Sequence, residues 1–292
     1  MIRKLKYHEI DFVKYTHCLE TSEQRNWYAK KEVLDELCES WEVLVYDDYK
    51  AVMPIPLKKK LGFSFAAMPL FCQQLGVFSK GDNAEINSRF LKYLKKNYKI
   101  FQYSFNHHNQ LPTGFDKKKN YIIPVTSYHQ LRKKYFKGRK STVKSAQHLI
   151  YREVNFDSNI ISFIELNSKG LAKSTDLLKF KKYLHILDQM NVLKLCGAFK
   201  DDRLINLAVL ISDHKELFLL ALVNDDNFKN ENGASFLIDQ ILQNCIEDFS
   251  FNFMGSNIRN IEVFFKSFGG QLCEFSSIEN KKIMKLLKLV KP

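Results

Sequence analysis

The chain has 292 residues, 45% of them hydrophobic, and a formal net charge of +13 from 45 basic and 32 acidic side chains. That is enough apolar material for a sizeable core and a length that favours two domains over one. No apolar run approaches the roughly 20 residues that cross a bilayer, and "MIRKLKYHEIDF" has no apolar signal core, so a cytoplasmic, globular protein is expected. Six cysteines without a CxxC pair fit buried thiols, and neither a metal site nor redox chemistry is expected.

In chain order, the first element is an amphipathic helix over about Thr21 to Cys38. "WEVLVYDDYKAVMPIPL" then reads as a strand, a turn at Asp47 and Asp48, and a return strand that ends at Pro54 and Pro56, because proline cannot donate to a central ladder. "FSFAAMPLFCQQLGVF" is a further extended region, and its Gln73, Gln74 and Gly76 form a polar cluster suited to bind an acceptor. A helix over about Ala84 to Tyr98 and a strand at "KIFQYSFN" follow, with His107 and His108 beyond the strand as a poor metal pair. A domain boundary is expected at residues 115–127, where a charge run meets a proline. From 132 to 144, "RKKYFKGRKSTVK" carries seven basic residues and no acid. It is either a solvated helix face or a surface for RNA, phosphate or anionic lipid.

The second half reads "VLKLCGAFKDDRLINLAVLISD", again strand, turn at Asp201 and Asp202, and strand. "KELFLLALVN" gives another strand, "ASFLIDQILQNCIEDF" a helix, and "SFNFMG" a strand. Residues 41–105 and 192–254 thus repeat one element order, which implies two copies of one α/β unit.

A hairpin followed by strand, helix and strand resembles the acyltransferase fold called GNAT. The implied fold class is α/β of the α+β kind: two tandem GNAT-like units, each a mixed, mostly antiparallel sheet flanked by helices. The N-terminal unit, 1–120, is the degenerate, acceptor-side copy, and 121–292 is the donor-binding, catalytic one. In that fold acyl-CoA lies where one strand splays from the next, its pyrophosphate on the amides of the following helix. Helix N-termini suit phosphate because their first N–H groups are unpaired and the dipole favours anions. The resemblance places the donor contacts at Asn230, Asn232, Gly233, Ala234 and Ser235, within "NENGAS", and at the backbone N–H groups of Leu222 and Val223.

"FMGS" and "FKSFG" at 253–269 narrow the likeness. A strand ending at Gly255, a cap at Ser256 or Asn257, a helix over about Arg259 to Phe265 and a turn at Gly269 and Gly270 resemble FemAB-like proteins, which are built from two GNAT units. The basic stretch leading to Lys144, Ser145 and Ala146 resembles that family's basic helix. The likeness implies transfer of an acyl group to an amine, with acyl-CoA as donor substrate and no metal. Lys266 is the side chain expected to stabilise the oxyanion, and Ser256 and Asn257 are expected to contact the acceptor. FemAB-like members use aminoacyl-tRNA on cell-wall precursors, which the basic stretch 132–144 would receive; that alternative, peripheral membrane contact, and a non-catalytic binding protein all remain open. The acceptor is expected to be a small-molecule or peptide amine.

Overall fold

A computed structural model describes residues 1–60, 62–171, 173–255 and 257–281. Two compact units divide it: Met1–Lys118 with Glu274–Pro292, and Lys119–Cys273.

In the first unit, β1 (Ile2–Lys6) leads to α1 (Phe12–Glu20), whose Asp11 cap accepts from the amides of Val13 and Lys14. The expected helix from Thr21 to Cys38 is broken. Asn26 caps a single 3₁₀ turn at Trp27–Ala29, Lys30 is extended, and only then does α2 (Lys31–Leu37) begin. The break drives Trp27 and Tyr28 into the core. β2 (Ser40–Tyr46) and β3 (Ala51–Lys60) form the hairpin, followed by β4 (Phe63–Ala67), β5 (Phe78–Ser79), α3 (Ala84–Asn97) and β6 (Lys99–Ser104).

β3 does not end at its prolines but runs on to Lys60. β5 pairs with it only at Ala51 and Val52 and β4 only from Leu57, so residues 53–56 have one ladder partner, β2. The Pro54 carbonyl accepts from the Tyr103 hydroxyl at 2.9 Å, so the missing N–H lies on that same open side and no ladder bond is lost.

The second unit begins within β7 (Asp116–Ile123) and continues through α4 (Tyr128–Lys134), α5 (Lys137–Ser145), β8 (Ile150–Glu153), α6 (Ser158–Asn167) and α7 (Ser174–Gln189). Then come β9 (Leu193–Lys200), β10 (Arg203–Asp213), β11 (Glu216–Asn224), α8 (Gly233–Cys245), β12 (Ser250–Asn252) and α9 (Arg259–Ser267). Asp201 and Asp202 both have positive φ, at 46° and 61°, which gives the β9–β10 turn the twist a two-residue hairpin needs. Its core joins Val143, Leu210, Leu237, Leu242, Phe251 and Phe268. The last strand, β13 (Gln271–Glu279), pairs Ser277–Glu279 with β6. The second unit therefore closes at Cys273 rather than running to the C-terminus, because β13 completes the sheet of the first.

The duplication is a repeat of topology. β2–β3–β4 and β9–β10–β11 are antiparallel meanders, and β4 pairs parallel with β6 across α3 as β11 does with β12 across α8.

Candidate functional site

In the second unit, β11 and β12 pair at only three positions, the last being Phe218 with Asn252. Two local features end the ladder. Leu219 opposes Leu210 and Ala221 opposes Val209, so Leu220 is an extra residue that bends β11 away. On the other side, the Asn252 side chain accepts from the Met254 amide at 2.9 Å and from Asn120 at 3.0 Å, and donates to Glu216 at 2.8 Å. Met254 and Gly255 then take positive φ, 53° and 70°, and turn the chain out of the sheet.

The strands diverge around a cavity of about 470 Å³. Leu219 to Leu222 and Asn224 form one wall, Phe253, Met254 and Gly255 the other, with Ala234 of α8 and Asn260, Ile261, Phe264 and Phe265 of α9 closing it. The Asp225 amide donates to the Ile205 carbonyl of β10 at 2.9 Å. Alternation along the strand turns the Val223 amide the same way, and the amides of Leu222 and Asn224 toward the cavity. Of the two expected backbone donors, only Leu222 faces the open space, while Val223 is buried and turned to β10.

"NENGAS" begins α8 beside this cavity. Asn232 has φ 57°, and its carbonyl takes the amides of Ser235 and Phe236, leaving those of Gly233 and Ala234 without an acceptor among the described residues. Gly233 is required sterically: a Cβ there would stand 1.8 Å from the Asn206 side-chain oxygen. Asn230 is exposed, and Asn232 donates to the Ser145 hydroxyl at 3.2 Å. The nearby acids are already matched: Glu231 binds Lys200 at 2.6 Å and His148 at 2.8 Å, and Asp225 binds Arg203 at 2.9 Å.

Ser235 leads to a residue that sequence reasoning did not single out. Arg139 of α5 donates to the hydroxyls of Ser235 and, at 2.8 Å, Ser267, and its guanidinium lies over Phe264 at 4.4 Å and Phe268 at 4.6 Å. Among the described residues no carboxylate pairs with it, and burial pushes it down to about 10. A cation thus sits without a counter-ion next to the positive end of α8, a combination that favours an anion. Within the basic run, Arg139 differs only in falling on the helix face that carries Val143, a periodicity signal that the charge run masks.

Lys266 does not line the cavity. Its ammonium is held by Glu262 at 2.7 Å, and Glu262 also accepts from the Tyr121 hydroxyl at 2.8 Å and from Lys119 at 3.1 Å, contacts that hold its carboxyl at about 2. Ser256 lies outside the described residues, and Asn257 is exposed, its side-chain oxygen accepting from the Lys119 amide at 3.3 Å. Asn257 does not cap α9, whose N-cap is Ile258 without a side-chain bond.

Gln73 and Gln74 belong to the first unit, where the place equivalent to the cavity is filled. Met68 donates to Gln102 and Leu75 to Ser104, and fully buried Leu75 bridges Phe105. Gln74 is a tie within this plug, accepting from the His107 amide at 2.9 Å. Gly76 has φ 104° and packs so closely that a Cβ would meet the Asn109 oxygen at 2.2 Å. Among the described residues, no three potential ligands converge as a metal site would require, and no helix is long and apolar enough to cross a membrane.

No family model and no curated protein matches the chain. Solved structures do. FemX aligns with TM-score 0.65 at 11% identity, over 98% of this chain and 99% of its own. A tandem GNAT protein from the clavulanic acid biosynthesis pathway, described without AcCoA, gives 0.54 at 9%, over 96% and 98%. The C-terminal domain of a putative lysylphosphatidylglycerol synthetase from Agrobacterium fabrum gives 0.52 at 13%, over 96% and 95%. The chain has the tandem GNAT fold of the clavulanic acid pathway protein and aligns over nearly its whole length with FemX.

Proposed function

We propose that the second unit is an acyltransferase centre that takes an acyl donor between β11 and β12 and passes its acyl group to an amine, with acyl-CoA as the donor. The observation that carries this reading is the divergence of the strands after Phe218 and Asn252, which opens a mostly apolar cavity directly beside two unpaired amides of α8. In this reading the thioester arm lies along β11, and its carbonyl accepts from the Leu222 N–H. The phosphates meet the amides of Gly233 and Ala234, with Arg139 supplying charge. A neutral amine attacks the carbonyl carbon, forming the C–N bond; the oxyanion collapses, the C–S bond breaks, and the amine proton leaves with the thiol or through water. The filled gap of the first unit supports one donor site per chain, with the first unit on the acceptor side.

Calorimetric titration with acetyl-CoA and free CoA tests the reading, repeated with Ala234→Trp. Ala234 is half-buried on the cavity wall, so a large ring there blocks the space without entering the core. Binding by the parent protein that the variant lacks supports the assignment. Absence of heat with both ligands, with binding of aminoacyl-tRNA instead, gives the cavity to an ester donor.

A further inference from the structure

We propose that the outer face of α4 and α5 docks on an anionic membrane surface, using five lysines and Phe136. Lys133 and Lys134 on α4 and Lys137, Lys140 and Lys144 on α5 are all exposed, and among the described residues none forms an ion pair. Four other observations support a partner for this face. α5 has no acid in its first turn and starts with Lys137, which sets a cation at the positive end of a helix dipole. Lys137, Lys140 and Lys144 follow one another along one helix face, where like charges repel. The acids that contact α4 are committed elsewhere, Asp239 to the Tyr128 hydroxyl at 2.9 Å and Glu247 to the Tyr128 amide at 3.1 Å. Finally, Phe136 stands between the two helices with 51% of its surface exposed, while its amide is fixed to the Ser267 carbonyl at 3.0 Å. A large apolar ring held outward amid lysines has the form of an interfacial anchor.

The division of labour between the two basic residue types favours lipid over RNA. Both arginines of the run turn inward: Arg132 lies over the Tyr135 ring beside Asp239, and Arg139 is held by Ser235 and Ser267. What faces outward is lysine alone, a flexible point charge suited to diffuse attraction by an anionic surface rather than to the forked recognition of a particular phosphate. Lys140 and Lys144 also border an open cleft of about 480 Å³ beside α8, lined besides by Arg132 and by Asp239, which the Tyr128 hydroxyl and Arg132 partly match.

Co-sedimentation with vesicles tests the proposal. Vesicles of equal parts phosphatidylcholine and phosphatidylglycerol are compared with pure phosphatidylcholine, using the full chain. The parent protein is expected to bind the anionic vesicles only, and to release as salt rises from about 0.1 M to about 1 M and the screening length falls from ~10 Å to ~3 Å. Each surface lysine contributes roughly fivefold, so the Lys137→Gln, Lys140→Gln, Lys144→Gln triple variant is expected to lose about a hundredfold in partitioning. Phe136→Ser is expected to bind several-fold more weakly with an unchanged melting temperature, since its backbone anchor is kept. Equal sedimentation with both vesicle types, no sedimentation with either, or vesicle binding unchanged in the triple variant overturns the proposal. So does tighter binding of a mixed tRNA sample than of anionic vesicles at the same salt, which assigns the face to RNA. Vesicle binding and CoA titration are separate measurements, so failure of one leaves the other standing.

Discussion

Replacing Arg139 with methionine separates a binding residue from a structural one, because the two roles move different observables in opposite directions. Burial lowers the Arg139 guanidinium from its ordinary value to about 10, with desolvation the dominant cause and only Tyr135 opposing it. Taken at face value, a shift of that size is ~3 kcal/mol of penalty on the charged form. The group is only partly enclosed, so solvent screening reduces this to on the order of 1–2 kcal/mol. Against it stand the hydrogen bonds to Ser235 and Ser267, each worth ~1 kcal/mol net, and the stacking on Phe264 and Phe268, which a methionine side chain partly keeps. The terms nearly cancel. Arg139→Met is therefore expected to melt within a few degrees of the parent protein.

Ligand binding should respond quite differently. A charge-assisted contact to a phosphate is worth about 1.5–3 kcal/mol, so affinity for CoA is expected to fall by ~10- to 100-fold. Thermal melting and calorimetric titration on the same samples give both numbers. A melting temperature that collapses while CoA affinity is unchanged refutes the reasoning and makes Arg139 a structural tie between α5, α8 and α9.

Three further outcomes are expected. Partial desolvation and, secondarily, His108 hold His107 down to about 4 against an ordinary 6.5, so the unfolded chain binds the extra proton first. Its stability contribution is complete above pH 6.5 and lost as pH falls toward 4; because the residue is exposed, water reduces it to about 1 kcal/mol or less, and melting against pH should show that shallow slope, which His107→Gln should flatten. Gly233→Ala puts a methyl group against the Asn206 side chain and is expected to destabilise by ~1–3 kcal/mol in urea unfolding; an unchanged midpoint would mean α8 moves freely over β10. Lys266→Ala removes one contact to a carboxylate that keeps Tyr121 and Lys119, so turnover and donor affinity should persist; loss of turnover at constant melting temperature would return the lysine to the chemistry.

The sequence was most legible where period and punctuation agree. Both hairpins, α3 and α8 are set by alternating apolar residues, Asp-rich turns and a clear 3.6-residue period, and their order carries the duplication. Three features were hidden for a physical reason. The Trp27 turn depends on tertiary burial of aromatics, which overrides the helical pattern of residues 21–38. Pro54 marks a strand end in sequence, yet it is tolerated mid-strand because β4 and β5 leave that stretch of β3 open. The C-terminal strand completes the first unit, a long-range pairing that no local signal encodes. At the site, the place of "NENGAS" was legible, but the Arg139 guanidinium was not, since its neighbours Ser235, Phe264 and Ser267 are about 100 residues away or more along the chain.

Duplication followed by unequal filling accounts for why the gap between the parallel strands stays open in the second unit and not in the first. Both units inherit a parallel strand pair across a helix, and in both the strand leading into the helix must part from its neighbour to let the chain cross. In the first unit, residues 68–77 return to cover the exposed edge, and Leu75 meets Phe105 as a further rung would. In the second, 3₁₀ turns at Asp226–Glu231 carry the chain straight from β11 to α8, with no loop long enough to fold back. The edge of β11 past Phe218 is left with backbone donors that no strand satisfies. Leu220 to Leu222 and Asn224 are only half-buried, so these donors stay within reach of the acyl donor proposed above, which would complete the edge. A long acyl donor, itself an extended chain carrying amides and ending in phosphates, has the shape and the polarity to do so.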